Sequence, residues 1–309
     1  MTLDIAICTH NRPDDLSCTL DSLAGLHSPE GVRLRLVLVL NACDLEVVTW
    51  GRRCAAVLPF ASHVVEEPEP GLSHARNRAI RESTADWLAF LDDDVKVSPE
   101  WAQGLLATAA ALEADIIAGR TQLWWRDCAQ PDWWSPHFDW IVSAFDHGDV
   151  DHILTPARAV GANFACARRV YEAVGLFDPD LGRKGCSLAA GEESDYLARA
   201  DARGFCCAYS AGAKVQHLVA PKRLEPAYFR QVSHYQGRAH YHASPRLGAA
   251  RLKSTAYQLA MLGSATLKQL IAPKDSAEAR YALVKRANAL GALNTLLADP
   301  PDRDRPFAT

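Results

Sequence analysis

Short apolar runs alternate with stretches of helical period through the first part of the chain. Residues 3–8, 32–40 and 63–66 lack a regular polar face, the pattern of strands buried on both sides. Between them, Leu16, Leu20 and Leu23 recur at helical spacing behind Pro13, and residues 47–58 predict a second helix. This alternation predicts an α/β fold of βαβ units: a mostly parallel sheet flanked by helices, with ligand chemistry at one edge. After the Pro70-Gly71 turn, Ser73 is placed as the N-cap of a helix carrying Arg76 and Asn77. Further on, Ser98-Pro99-Glu100-Trp101 starts a helix, residues 116–119 read as a strand, and residues 168–175 read as a short helix ending at glycine. Two helices close the chain, over roughly 247–271 and 276–297, with Leu252, Leu259, Leu262 and Leu270, then Leu283, Leu290, Leu293 and Leu297, at helical spacing. Their apolar faces can pack on the domain, pair in a homodimer, or make a peripheral membrane contact. The proline- and charge-rich tail 299–309 is expected to be disordered.

The apolar run Trp87-Leu88-Ala89-Phe90-Leu91 stops at three carboxylates, Asp92, Asp93 and Asp94. Acids at a strand end cannot stay buried unpaired, because desolvating one costs several kcal/mol. They face solvent or a cation, and hard oxygen ligands there suit Mg²⁺ or Mn²⁺ holding a diphosphate. A solvated acidic turn is the plain alternative. Arg76, near a helix N-terminus, is either suited to a phosphate or a surface charge. Residues 124–152 concentrate aromatics, Trp133 and Trp134 among them, and either offer flat faces to a sugar ring or tie down a loop. A glycine-rich loop, 182–191, precedes Glu192, Glu193 and Asp195, which either complement a helix dipole or include a catalytic base.

Composition narrows the class. The chain has 309 residues, 49% hydrophobic, 23% charged, with a formal net charge of -4 and no dense basic block, which argues against nucleic-acid binding. Nine cysteines without CxxC spacing point to reduced thiols in a cytoplasmic protein. No apolar stretch is long enough to span a bilayer as a helix. The most basic stretch, 222–243, precedes the closing helices.

Taken together in order, the motifs resemble glycosyltransferase family 2, the bacterial, inverting enzymes of the GT-A fold. Thr9-His10-Asn11-Arg12 resembles the family's opening nucleotide loop, and Gly71-Leu72-Ser73 with Ala75-Arg76-Asn77 its GLSxARN segment. Phe90-Leu91-Asp92-Asp93-Asp94 resembles its DxD element, Gly161-Ala162-Asn163 its acceptor-side signature, and Gly191-Glu192-Glu193-Ser194-Asp195 its catalytic helix. The resemblance covers roughly residues 3–220. It implies a Rossmann-like domain over 1–220, with a nucleotide-sugar half to about 118 and an acceptor half from about 119, then a helical extension over 221–298. It implies Mn²⁺ or Mg²⁺ on Asp92, Asp94 and His217, and Glu193 as base, with Glu192 and Asp195 as competitors. Donor contacts would come from Thr9, Asn11, Arg12, Gly71, Ser73, Arg76, Asn77, Asp92 and Asp93. Acceptor contacts would come from Gly161, Ala162, Asn163, Trp133 and Trp134. The family's base-holding Asp is replaced by Leu40, which leaves Asn41 or Asp44 for that role. The implied reaction moves a sugar from a nucleotide-diphosphate sugar, UDP-linked by preference, to an acceptor hydroxyl of a carbohydrate or glycoconjugate, at the inner face of the membrane if peripheral. A nucleotidyltransferase would want a glycine-rich phosphate loop after the first strand, where Thr9-His10-Asn11-Arg12-Pro13 has none. A non-catalytic carbohydrate-binding module would not need both the acidic triplet and Glu193.

Overall fold

The computed structural model describes residues 1–183, 188, 191–242 and 249–298. The tail from 299 onward and most of the glycine-rich loop lie outside the described residues. The chain divides into two compact units, one of Met1–Arg126, Val142–Ser187 and Glu192–Val219, the other of Asp127–Ile141, Leu188–Gly191 and Ala220–Thr309.

The first unit opens with β1 (Thr2–Thr9), α1 (Pro13–Ala24), β2 (Arg33–Asn41), α2 (Leu45–Ala56), β3 (Ala61–Glu67) and α3 (Leu72–Glu82). It continues through β4 (Trp87–Asp92), β5 (Val95–Val97), α4 (Trp101–Ala111), β6 (Ile116–Trp124), β7 (His152–Ile153), β8 (Asn163–Ala167), α5 (Arg168–Val174), α6 (Glu192–Asp201) and β9 (Cys207–Leu218). One sheet results, in the order β3-β2-β1-β4-β8-β6-β9-β5, with β7 beside β9. Its first four strands are parallel; β8 then enters antiparallel to both β4 and β6.

Strand alternation sorts the apolar residues onto two faces. Ile5, Ile7, Leu36, Leu38 and Leu91 face α1, α2 and α4, joining Leu16, Leu20, Trp101 and Leu105. Ala6, Val37, Val39, Leu88 and Phe90 face the other way, joining Ala75 and Ala79 of α3 and Tyr196 and Leu197 of α6. Both faces are covered, which is why the strands read as unbroken apolar runs. One expectation changes: Ser73 is not the cap of α3. Gly71 holds that position, and the Ser73 hydroxyl donates to the Leu181 carbonyl at 2.8 Å. The Leu72 N–H is taken by the Arg183 carbonyl, so the chain's own loop closes over this helix start.

The second unit holds α7 (Pro226–His242), α8 (Ala249–Ile271) and α9 (Ala277–Ala298). Glycines set the α7–α9 approach: a Cβ on Gly237 would overlap the Asn288 carbonyl, and one on Gly291 the His234 carbonyl. Trp133 and Trp134 pack with Phe138, Phe229 and Val284 in this unit, and the Arg280 guanidinium lies 4.6 Å from the Trp133 ring centre. At Trp133 and Trp134, this packing ties the aromatic segment to the core of the unit. No helix among the described residues is long and apolar enough to cross a membrane.

Candidate active site

The carboxyl end of β4 carries the acids into a turn that several side chains hold. The Thr19 hydroxyl of α1 donates to the Asp93 carbonyl at 2.8 Å and accepts the Val95 N–H at 3.1 Å. β5 then pairs antiparallel with β9, setting Val95 opposite His217, while the Leu218 N–H reaches the Asp94 carbonyl. That register brings His217 Nε2 to 3.2 Å from Asp94 Oδ1 and 3.8 Å from Asp92 Oδ2. Ligand atoms of Asp92, Asp94 and His217 all fall within 4.8 Å of one another.

Asp93 turns to a different set of partners. Its carboxylate accepts from the Thr9 hydroxyl and from Arg12 Nη1, both at 2.6 Å. Arg12 Nη2 reaches Asp94 at 3.0 Å and Asp15 at 2.8 Å, so one guanidinium clamps three acids. Burial pushes Asp93 up to about 7, with the charges of Asp94 and Asp92 adding to the rise and Arg12 and Thr9 opposing it. Asp15 was not singled out from sequence; its only signal was lying three residues after Arg12, the spacing of helix neighbours.

Arg76 forms the second cationic centre. It is 2% exposed, and a guanidinium that deep would cost several kcal/mol without partners. Its Nη1 lies 3.1 Å from Glu192 and 3.2 Å from Glu193, and its Nη2 lies 3.8 Å from Asp92. One side chain therefore links the acidic end of β4 with the first turn of α6. Gly161 makes room for it: a Cβ there would overlap both Glu193 Oε1 and Arg76 Nη2. The two glutamates divide by environment. Burial and the neighbouring Glu193 charge push Glu192 up to about 8. Burial also acts to raise Glu193, but Arg76, the backbone N–H and Glu192 together hold it below the usual carboxylate value. Within the pair, Glu192 is the member pushed toward the protonated form and Glu193 the member held toward the ionised form. Asp195 stands apart, paired to Arg199 at 2.9 Å one turn along α6.

Glu192 gives a stability prediction. Its folded-state value is raised from 4.5 to about 8. Between those values the folded chain keeps a proton that the unfolded chain releases, so this group's contribution falls as pH rises through the window. Glu192→Gln carries no such proton and should flatten the slope, gaining on the wild type toward alkaline pH. Urea midpoints across that range measure it; parallel curves for the two proteins would contradict the assignment.

Several residues expected to meet ligands are used within the chain. Asn77 donates to the Phe177 carbonyl at 2.9 Å and accepts the Phe177 N–H at 2.7 Å. Asn163 accepts the Trp101 indole N–H at 2.9 Å and donates to the carbonyls of Ala213 and Arg120. Asn41 donates to the carbonyls of Glu67 and Glu69 and accepts the Gly71 N–H. Each is at most 5% exposed, and a buried amide so saturated has little left for a ligand. Ala162 is buried in the sheet-face core with Ala165. Asn11 accepts the Asp44 N–H, and the Asp44 side chain is exposed at the start of α2.

The donor chemistry fits a divalent cation. Two carboxylates and an imidazole are a ligand set for Mn²⁺ or Mg²⁺. Around them, the carboxylates of Asp15, Asp92, Asp93, Asp94, Glu192 and Glu193 outnumber the guanidiniums they meet, those of Arg12, Arg76 and, at 3.5 Å from Asp15, Arg126. That excess of negative charge is what an added cation would offset.

Comparison with known proteins gives the family and the fold. The succinoglycan biosynthesis protein ExoM of Rhizobium meliloti (strain 1021) is 29% identical over 290 residues, 91% of this chain and 88% of that protein. A glucosyl-dolichyl phosphate glucuronosyltransferase of Haloferax volcanii is 25% identical over 241 residues, 77% of this chain and 75% of that protein. Among solved structures, the mannosyltransferase PcManGT from Pyrobaculum calidifontis, in complex with GDP-Man and Mn²⁺, superposes with a TM-score of 0.66 at 18% identity, covering 96% of this chain and 88% of that one. This likeness shows the GT-A fold. The model of the family described as "Glycosyl transferase family 2" matches residues 4–174, and the chain is a glycosyltransferase belonging to that family.

Proposed function

We propose that the enzyme transfers a sugar, with inversion, from a UDP-sugar to an acceptor hydroxyl in bacterial glycan or glycoconjugate synthesis, and that it needs a divalent cation. The observation that carries this reading is the Arg76 bridge. A single buried guanidinium joins the Asp92–Asp94–His217 cluster to an ionised Glu193. Bound between Asp92, Asp94 and His217, Mn²⁺ or Mg²⁺ would supply positive charge to a diphosphate leaving group. Glu193 takes the proton of the acceptor hydroxyl, whose oxygen attacks the anomeric carbon from the face opposite the departing diphosphate. Arg76 positions Glu193 and favours its ionised form, the form a base needs, while burial favours the protonated form of Glu192. The names of two relatives, one in succinoglycan biosynthesis and one a glucuronosyltransferase on glucosyl-dolichyl phosphate, support a glycan-building role.

Nucleotide sugars screened with Mn²⁺ for nucleoside diphosphate release test the donor, and release from a non-uridine sugar alone would replace UDP. Glu193→Gln is expected to lose transfer by about a thousandfold while retaining the donor-induced rise in melting temperature. Normal turnover in Glu193→Gln, with loss in Glu192→Gln, would move the base to Glu192.

A further inference from the structure

One face of α8 in the helical unit is apolar and exposed, in a stretch of chain that carries positive charge and no acid. Leu252, Leu259, Leu267, Leu270 and Ile271 are 56% to 79% exposed, and Ala265 is the one described side chain of α8 that is buried. Leu252, Leu259 and Leu270 lie whole numbers of turns apart, so they form one stripe along the helix, with Leu267 and Ile271 beside it. A stripe of this size on a surface helix marks a contact site. Its occupant is indicated by charge. From Pro226 to Lys274 the chain has no Asp or Glu, yet it carries Arg230, Arg238, Arg246, Arg251, Lys253, Lys268 and Lys274, within a protein of net charge -4. On the side of α8 turned away from that stripe, α8 and α9 enclose a groove of about 470 Å³ lined by Tyr257, Met261, Lys268, Tyr281 and Lys285. Tyrosine and lysine on a helix with exposed leucine are the side chains that settle at a lipid headgroup boundary.

We propose that this face of α8 docks on an anionic lipid bilayer, lying in the interface plane. A second copy is the poorer occupant. A two-fold contact through α8 would bring together two helices that each carry lysine and no acid, whereas acidic headgroups neutralise that charge. Docking is independent of the transfer reaction proposed above and extends it only by placing the enzyme at a membrane surface.

Flotation of the full chain with phosphatidylcholine vesicles, with and without phosphatidylglycerol, tests the proposal. The protein should float with the anionic vesicles and release as salt is raised. Leu252→Ser/Leu259→Ser/Leu270→Ser and Lys253→Glu/Lys268→Glu should each weaken binding by about tenfold or more, with melting temperature and nucleotide release unchanged. No flotation with either vesicle, or flotation that both variants leave intact, overturns it. So does a dimer in light scattering that the leucine variant dissociates, since a second copy then covers the face.

Discussion

Asp94→Asn is expected to cut sugar transfer by about a thousandfold or more while the chain stays folded. Asp94 is 3% exposed and faces Arg12 at 3.0 Å and His217 at 3.2 Å. The amide keeps the side chain's shape and can still accept from Arg12, but it removes a charge from a cluster crowded with carboxylates. Folding should therefore be unharmed or slightly favoured without metal, since like charges in one place oppose the compact state. What is lost is the hard anionic ligand. Two measurements separate the effects: nucleoside diphosphate release, and the rise in melting temperature on adding Mn²⁺, which should be present in the wild type and absent in the variant. Wild-type turnover in Asp94→Asn, or full activity of the native enzyme in EDTA, would remove the metal from the mechanism.

Gly161→Ala has the second largest expected effect, about a hundredfold in kcat, from a single added methyl group. Gly161 does not adopt a positive φ, so its backbone can accept an L side chain. The new Cβ, however, would overlap Glu193 Oε1 and Arg76 Nη2. Both are held, Arg76 by Glu192 and Glu193 and by its depth, so the methyl displaces the proposed base from its clamp. Thermal stability should change little beside the loss of turnover, and donor KM should stay within a few-fold. An alanine variant with normal kcat would show that the Arg76–Glu193 arrangement is not the one that turns over.

The fold was readable because its physical cause is local. Unbroken apolar runs between amphipathic stretches require strands covered on both faces, and β1, β2 and β4 are such strands. The acid triplet at the end of β4 was conspicuous for the same reason, since three charges cannot follow a buried run without a purpose or an exit. Its partners were less visible. Asn41 and Asn163 stood in motifs that pointed to ligands, yet Asn41 is spent on backbone groups and Asn163 on two backbone carbonyls and the Trp101 indole, because a buried amide takes whatever polar atoms packing brings near it. Asn77 and Phe177 pair across 100 residues of sequence, Arg76 and Glu192 across 116. Trp133 and Trp134 could equally have faced a sugar or a core, since an aromatic side chain suits both.

The sequence by itself determined the α/β architecture, the helical C-terminal extension and the concentration of acids at one strand end, since hydrophobic period and charge are properties of neighbouring residues. Only the tertiary structure decided which partners each acid meets. Arg12 pairs with Asp93, β5–β9 pairing brings His217 beside Asp94, and Arg76, with the room Gly161 leaves, links Asp92 to a Glu193 held below and a Glu192 pushed above the usual carboxylate value. The charge state of a carboxylate depends on depth and on partners within a few ångströms, and packing alone fixes both.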